Sequence, residues 1–224
     1  MNKILTIGVF LGLNFCSLAE DLTIKQVLKS ADSVVWAGLD YSMVRVIGDS
    51  HNIKVPDLIL QNMPEKWNDV FLDERIEGVA DSLGKSVSID IGGVTERNKT
   101  LNTNQVILSP NTVHVAAINE SHITKQDIAA AVQSYKMEHK SGIGLVFIVD
   151  RMVYYFGGWS NVHGNAEPSI EHAEAVYVVF FDIATRKVIS SKREVRYVNT
   201  GNGFRNLWFG PIKDTDSDLS KYHQ

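Results

Sequence analysis

Cysteine is almost absent from this sequence: Cys16 is the only one among 224 residues. It lies in an apolar N-terminal segment that we expect to be removed, so the remaining chain has no thiol nucleophile and no disulfide framework. Asn14 and Phe15 precede Cys16, whereas lipid attachment requires small residues there, so we expect simple secretion rather than a lipoprotein. A chain of this length can fold around its hydrophobic core without such cross-links.

An excess of positive charge is also lacking. The chain has 22 basic and 26 acidic residues, a formal net charge of −4, and no basic cluster. This composition argues against nucleic acids and anionic membrane surfaces as partners. No long apolar run follows the N-terminal one, so we expect the mature protein to be soluble and to have no transmembrane segment.

The N-terminus has the three parts of a secretory signal. Residues 1–3 include Lys3, residues 4–15 are almost wholly apolar, and small side chains occupy Ser17 and Ala19. The apolar run is short for a membrane span. We therefore predict a signal peptide at residues 1–19, cleaved after Ala19, and export to the periplasm or the medium.

Hydrophobic runs in the second half of the chain predict the centre of a β-sheet. Residues 175–181 (AVYVVFF) and 144–149 (GLVFIV) carry no charge and are rich in β-branched and aromatic side chains, which is typical of buried strands. Residues 188–198 alternate apolar and polar positions, as a half-exposed strand does. With 182–187 as the turn, residues 175–198 form a predicted hairpin.

Helical patterns lie between the predicted strands. A capping box of Thr124 and Asp127 begins the clearest helix, and residues 56–83 show interrupted helical spacing. No linker or repeat divides the chain. We expect residues 20–224 to form a single α+β domain, with helices packed on a mixed or antiparallel sheet.

Motifs with a known chemistry are incomplete or missing. Residues 84–86 (GKS) resemble the end of a phosphate loop, but Val79 stands where its first glycine belongs. The spacing of Asp214, Asp216 and Asp218 resembles a calcium loop, yet Leu219 replaces the glycine of its sharp turn. No Gly-x-Ser-x-Gly elbow is present. These comparisons do not favour nucleotide binding, calcium binding or an α/β-hydrolase.

The candidate binding residues lie at predicted strands and turns. Carboxylates at strand ends can pair for acid–base chemistry, but the same groups also cap turns or form structural ion pairs with nearby arginines. Trp159, next to two glycines, is the aromatic residue that we expect to be exposed, as in a sugar-binding surface. The candidates are Asp40, Asp150, Arg151, Trp159, Asp182 and Arg205.

A possible metal site lies in the predicted loop at residues 157–173. His163, Glu171 and His172 offer imidazole and carboxylate ligands that suit zinc. Their spacing matches no standard ligand pair, and a polar hairpin loop explains the same residues. Our main interpretation includes no cofactor, and the metal site belongs to the alternative only.

Four segments of the chain carry a resemblance to known proteins: VVWAGLDYS (34–42), SGIGLVFIV (141–149), VVFFDIATRKVISSK (178–192) and GNGFRNLW (201–208). They resemble recurrent blocks of an uncharacterised family of secreted proteins from Bacteroidetes-type bacteria. More loosely, the order of elements is similar to periplasmic modules related to the TolB N-terminal domain and to the penicillin-binding-protein activator lipoproteins, which implies docking to other envelope proteins.

Together these observations predict a secreted or periplasmic, non-enzymatic binding module of the cell envelope, with a partner protein or a glycan as its ligand. The alternative is a metal-dependent or carboxylate-based hydrolase that uses residues 163–174 together with Asp150 or Asp182. The oligomeric state is not predicted.

Overall fold

The computed structural model describes residues 24–48, 56–108, 116–162, 165–199, 212, 215–216 and 218–222. Side chains are described for these residues except 56–59, 61–63, 108, 116–117, 154–162, 165–172 and 198–199. The predicted signal peptide, His163 and Arg205 lie outside the described residues.

The described chain contains seven strands and six α-helices. The strands are β1 (Ser33–Asp40), β2 (Arg45–Gly48), β3 (Ser86–Ile89), β4 (Val106–Leu108), β5 (Ile143–Val162), β6 (Asn165–Asp182) and β7 (Lys187–Asn199). The α-helices are α1 (Ile24–Ser30), α2 (Pro56–Glu74), α3 (Ile76–Leu83), α4 (Gly92–Asn98), α5 (Ala116–Asn119) and α6 (Lys125–Ser134), and short 3-10 helices cover Thr103–Gln105 and Asp218–Tyr222.

The long strand β5 is the centre of the seven-stranded sheet. Strand β6 runs antiparallel along one edge of β5, and β7 runs antiparallel to β6. On the other edge, β1 lies parallel to the first part of β5 and β2 lies parallel to a later part. Strands β3 and β4 flank β1 and β2, again in parallel.

The sheet is therefore mixed, and the antiparallel alternative is wrong. Parallel neighbours need a long crossover connection, and helices provide it here. Helices α2 and α3 lie between β1 and β3 in the sequence, and α5 and α6 precede β5. The antiparallel part is confined to the meander β5–β6–β7, which tight connections allow.

The predicted hairpin at residues 175–198 is confirmed. Strands β6 and β7 pair from Asp182 and Lys187 onwards. The turn is held by Asp182, whose Oδ1 accepts hydrogen bonds from the backbone N–H and the hydroxyl of Thr185, both at 2.7 Å. Arg186 has a φ of 57°, which closes the turn.

The predicted loop at residues 157–173 is wrong. Strand β5 continues to Val162 and β6 begins at Asn165, and the two strands pair with each other as far as these residues. A polar sequence does not distinguish a loop from a paired ribbon, because the partner strand supplies the backbone hydrogen bonds in the ribbon. A bulge between Phe156 and Gly158 accommodates the two glycines of this segment.

Helices cover both faces of the central strands. On one face α2 and α3 pack on the sheet, where Trp36 stacks on Phe71 at 4.5 Å between ring centroids and meets Phe147 edge-on at 5.0 Å. On the other face α6 contributes Ile128 and Val132. This arrangement explains why the central strands are apolar without alternation. No helix among the described residues has the length and apolar composition needed to cross a membrane.

Gly38 fixes the backbone near the end of β1. Its φ is +114°, and the pairing of β1 with β5 is irregular between Trp36 and Gly38. A Cβ at this position would lie 2.9 Å from Oδ1 of Asn68. Only glycine adopts this conformation without strain, so α2 can approach the strand closely here.

Candidate binding site

A cavity of about 590 Å³ lies where α2, α4 and the 3-10 helix Thr103–Gln105 meet. Its apolar lining comes from Leu60, Pro64 and Leu101. Polar lining is contributed by residues of three kinds, namely amides, hydroxyls and one charge of each sign. These residues are Glu65, Asn68, Thr95, Asn98, Lys99, Asn102 and Thr103.

Asn68 holds α2 against the end of β1. Its Oδ1 accepts from the backbone N–H of Leu39 at 2.8 Å, and its Nδ2 donates to the carbonyls of Leu39 at 3.1 Å and Pro64 at 2.8 Å. The amide is buried, and these contacts use both donors and one acceptor site. The cavity wall is therefore fixed at this point.

Asn98 holds α4 against the end of β1 in a similar way. Its Oδ1 accepts from the backbone N–H of Tyr41 at 2.7 Å, and its Nδ2 donates to the carbonyl of Leu39 at 2.9 Å. Both asparagines thus bind backbone groups of the chain beyond Trp36, where the pairing of β1 with β3 has ended and its pairing with β5 continues to Asp40. The cavity lies at the carboxyl end of a parallel strand, which is where open α/β sheets commonly bind ligands.

The mouth of the cavity is also ordered by local hydrogen bonds. Asn102 caps the 3-10 helix, with its Oδ1 accepting from the N–H of Asn104 at 3.0 Å, and its own N–H donates to Gln105 Oε1 at 2.9 Å. Lys99 forms an ion pair with Glu96 at 2.7 Å. Glu65 lies close enough to contribute to a raised pKa of Lys99, although Glu96 is the main cause.

Asp40 lies at the end of β1 but is absent from this cavity lining. Its buried carboxylate accepts from the hydroxyl of Tyr135 at 2.7 Å, from Nε of Arg97 at 3.1 Å and from the N–H of Ser42 at 2.8 Å. It anchors α6 and α4 to the sheet, a structural role.

Asp150 lies at a β-bulge between Val149 and Arg151 and is fully buried. Arg193 Nε donates to its Oδ2 at 2.6 Å, and Nδ1 of His122 lies 2.8 Å from its Oδ1 at an angle poor for a hydrogen bond. Burial alone would raise the pKa of Asp150, but His122 and Arg193 outweigh it, so this pKa is lowered. The carboxylate is charged and already paired.

Arg151 is buried beside this pair. Burial is the main cause that lowers the pKa of Arg151, and the charges of Arg45 and Arg193 lower it further. The charges of Asp150 and Glu120 raise this pKa, but they do not outweigh the other causes.

Asp182 belongs to the hairpin turn. Its Cα pairs with that of Ile143, whereas Asp150 follows seven residues later along β5, roughly 20 Å away at the rise of a strand. The three predicted carboxylates are therefore not assembled into one catalytic site.

For the remaining predicted site residues, the structure describes the backbone alone or does not describe the residue. Trp159 lies in β5 and pairs with Pro168 of β6. Glu171 and His172 lie in β6, opposite Tyr155 and Tyr154 of β5 respectively. Within the residues that the structure describes, no group of three or more histidines, cysteines and carboxylates could hold a metal ion. His163 and Arg205 are outside the described residues.

The cavity residues were missed by the sequence analysis. Residues 95–104 are polar in sequence and carry no motif, and the structure has the end of α4 and a 3-10 helix there. One signal could have indicated the site: Asn68 stands between Trp67 and the apolar pair Val70–Phe71, on a helix face that packs inward. A buried amide requires hydrogen-bond partners, which in this case are backbone groups of β1.

A second buried group was also missed. Glu174 is 2% exposed and lies in β6 opposite Met152 of β5. Neither of its carboxyl oxygens, nor the buried hydroxyl of Tyr41, has a hydrogen-bond partner in the described structure. Burial raises the pKa of Glu174 well above its ordinary value, and burial followed by the charge of Glu174 raises that of Tyr41.

Comparisons with known proteins give only distant likenesses. No protein-family model matches the sequence. No curated protein matches it either. Solved structures that resemble the fold include a neuraminyllactose-binding hemagglutinin homologue from Helicobacter pylori, with 9% identity, a TM-score of 0.35, and coverage of 86% of this chain and 85% of that one.

Two further structures are similarly distant. The PelC dodecamer from Paraburkholderia phytofirmans has 12% identity and a TM-score of 0.33, over 85% of this chain and 88% of that one. A hypothetical protein from Chlamydia trachomatis has 11% identity and a TM-score of 0.31, over 87% and 90% of the two chains. Likenesses of this degree assign no function to the chain.

Proposed function

We propose that this protein is a binding module of the bacterial cell envelope, and that the cavity at the end of β1 binds a short peptide segment of another envelope protein. The cavity carries the proposal, because it combines apolar and polar lining residues at the carboxyl end of a parallel strand. Export rests on the predicted signal peptide at residues 1–19 and on the resemblance to secreted proteins.

Binding, rather than catalysis, is favoured at this cavity by the way its polar groups are used. Asn68 and Asn98 are engaged with the backbone of β1, and Asn102 is engaged in its own turn. A general acid–base pair would need side chains that converge on one open point. Fixed walls instead reduce the ordering cost of binding, because the site is already organised before the ligand arrives.

The chemistry of the lining favours a peptide over a glycan. Leu60, Pro64 and Leu101 offer apolar contact to a side chain, while hydroxyls such as that of Thr103 can meet backbone groups of a peptide. Among the described residues that line the cavity there is no aromatic ring, so these residues offer no flat face for a sugar ring. The volume is within the range of sites for small ligands.

A peptide array and a glycan array probed in parallel test the proposal. We expect the protein to bind a subset of peptides, and Thr103→Trp to abolish binding because the indole fills the cavity from its exposed mouth. Ala184→Trp, which adds the same ring to the exposed hairpin turn, is the matched control and should bind like the wild type. Binding only to glycans, or equal peptide binding by both variants, would overturn the proposal.

A further inference from the structure

Ser88, His139 and Asp90 form a cluster that has no part in the cavity. Ser88 lies in β3, Asp90 follows that strand, and His139 lies in the connection between α6 and β5. Ser88 Oγ is 3.3 Å from Nε2 of His139, and Nδ1 of the same ring is 3.0 Å from Oδ2 of Asp90. Ser88 and Asp90 are 51 and 49 positions away from His139 in the sequence, yet both contact its ring. The three side chains therefore lie in the order hydroxyl, imidazole and carboxylate.

Asp90 sets the tautomer and the orientation of the His139 imidazole. Its Oδ2 also accepts from the backbone N–H of Glu138 at 2.8 Å and of His139 at 2.9 Å. Burial would raise the pKa of Asp90, but the hydrogen bonds from His139 and Glu138 lower it on balance, so the group is a carboxylate. A carboxylate only accepts hydrogen bonds, so Nδ1 of His139 donates to Asp90, and in the tautomer with its proton on Nδ1 the lone pair of Nε2 faces Ser88.

We propose that Ser88 is a nucleophile activated by His139 as general base, with Asp90 as the positioning residue, and that this cluster hydrolyses acyl esters. The order of roles is that of a Ser–His–Asp triad, which is recognised by geometry and not by sequence position. A contact of 3.3 Å between hydroxyl and base is within the looser range found before substrate binds. The activity goes beyond peptide binding at the cavity.

The cluster can be reached from solvent. The side chain of His139 is 38% exposed, while that of Asp90 is 3% exposed, so the base is accessible and its carboxylate is shielded. Within the described residues β3 pairs only with β1, which leaves β3 at an edge of the sheet. This position suits small esters that approach from outside the fold.

A backbone donor lies next to the nucleophile. The N–H of Asp90 donates to the carbonyl of Trp36 in β1 at 2.9 Å. Because the residues of a parallel strand alternate in the direction of their hydrogen bonds, the N–H of Ile89 points away from β1. The N–H of the residue after a nucleophile is a common donor to the oxyanion that forms during acyl transfer.

The reaction balances with water as the only co-reactant. Ser88 Oγ bonds to the carbonyl carbon of the ester as its proton passes to Nε2 of His139. The C–O bond to the alcohol then breaks, and the alcohol leaves with that proton. Water, deprotonated by Nε2, attacks the acyl-serine, so the carboxylic acid is released and the Ser88 hydroxyl is restored.

Labelling with a fluorophosphonate, followed by peptide mass spectrometry, tests the proposal. We expect the label on Ser88, none at this peptide in Ser88→Ala, and a labelling rate at least about 100-fold lower in His139→Ala. Ser86→Ala is the matched control, since Ser86 lies on the same strand and its hydroxyl contacts the carbonyl of Asp32 instead. This control should label like the wild type.

Hydrolysis of p-nitrophenyl acetate separates the roles. Asp90→Asn should lower kcat with little change in KM, and Asp90→Glu should recover part of kcat, which a purely structural role of Asp90 would not produce. Circular dichroism checks the fold of each variant. An unlabelled Ser88 in folded wild-type protein, or equal labelling of His139→Ala, would overturn the proposal and leave cavity binding unaffected. Labelling that persists in Thr103→Trp is expected, because the two sites share no residue.

Discussion

Replacement of Glu174 by glutamine should change the pH dependence of stability. Glu174 lies in β6, which pairs with β5 and β7, and its buried carboxyl group has no hydrogen-bond partner in the described structure. Glutamine keeps the shape and remains neutral at every pH. The pH-dependent part of the difference between Glu174→Gln and the wild type therefore measures the cost of ionising this group.

The magnitude follows from the raised pKa of Glu174. Below the pKa that this group has in the unfolded chain, both states hold the proton and the group imposes no pH-dependent cost. Above it, the unfolded state ionises while the folded state does not, and stability falls by about 1.4 kcal/mol per pH unit until the folded pKa is reached. The variant should thus gain stability over the wild type as pH rises.

Urea unfolding followed by circular dichroism between pH 4 and pH 8 measures this difference. We expect the free energies of unfolding to be similar near pH 4 and to diverge steadily above it. Glu138→Gln, at an exposed position, controls for the change in net charge. A difference between Glu174→Gln and the wild type that is constant with pH, or that shrinks as pH rises, would refute the reasoning.

Three further predictions concern residues that stabilise the fold and lie outside the proposed sites. Asp150→Asn should destabilise the fold at pH 7 by about 3–5 kcal/mol in urea unfolding, because Arg193 loses its buried, charged partner. Since the pKa of Asp150 is lowered in the folded state, the difference between variant and wild type should disappear as pH falls. A loss of stability that does not change with pH would contradict the pairing of Asp150 with Arg193. Tyr135→Phe should cost about 1.5–3 kcal/mol by removing a hydrogen bond to charged Asp40, and an unchanged midpoint would count against that bond. Gly38→Ala should lower the midpoint of urea unfolding, because the added Cβ causes backbone strain of about 1–3 kcal/mol. An equally stable variant would contradict the close approach of α2 to β1.

The position of the N-terminus is a separate prediction. If residues 1–19 are a signal peptide, N-terminal sequencing of protein exported by a bacterial host should begin at Glu20. Recovery of the chain in the cytoplasm with its first residue intact would remove the basis for an envelope role.

Local features of the fold could be predicted from the sequence. The capping box of Thr124 and Asp127 is present, with the N–H of Thr124 donating to Asp127 at 2.8 Å. The apolar run at residues 175–181 is a buried strand, and Asp182 holds the turn after it. Each of these rests on interactions within a few residues, so spacing and composition reveal them.

Contacts between distant segments could not be predicted in this way. Asn68 binds Leu39 across 29 positions, and Asn98 binds Tyr41 across 57. The sequence around Asn98 does not distinguish it from a solvent-exposed helical asparagine, and the apolar neighbours of Asn68 indicate burial but do not identify its partner in β1. The parallel arrangement of β1 and β5 likewise depends on how the helices cross the sheet, which hydrophobic spacing alone does not fix.

The most direct test of the binding proposal is a nuclear magnetic resonance titration of the isotope-labelled protein with a peptide selected on the array. Amide shifts should concentrate at the cavity, at Leu60, Leu101 and Thr103, and should be lost in Thr103→Trp. Saturable shifts elsewhere, with these three amides unmoved, would contradict the account.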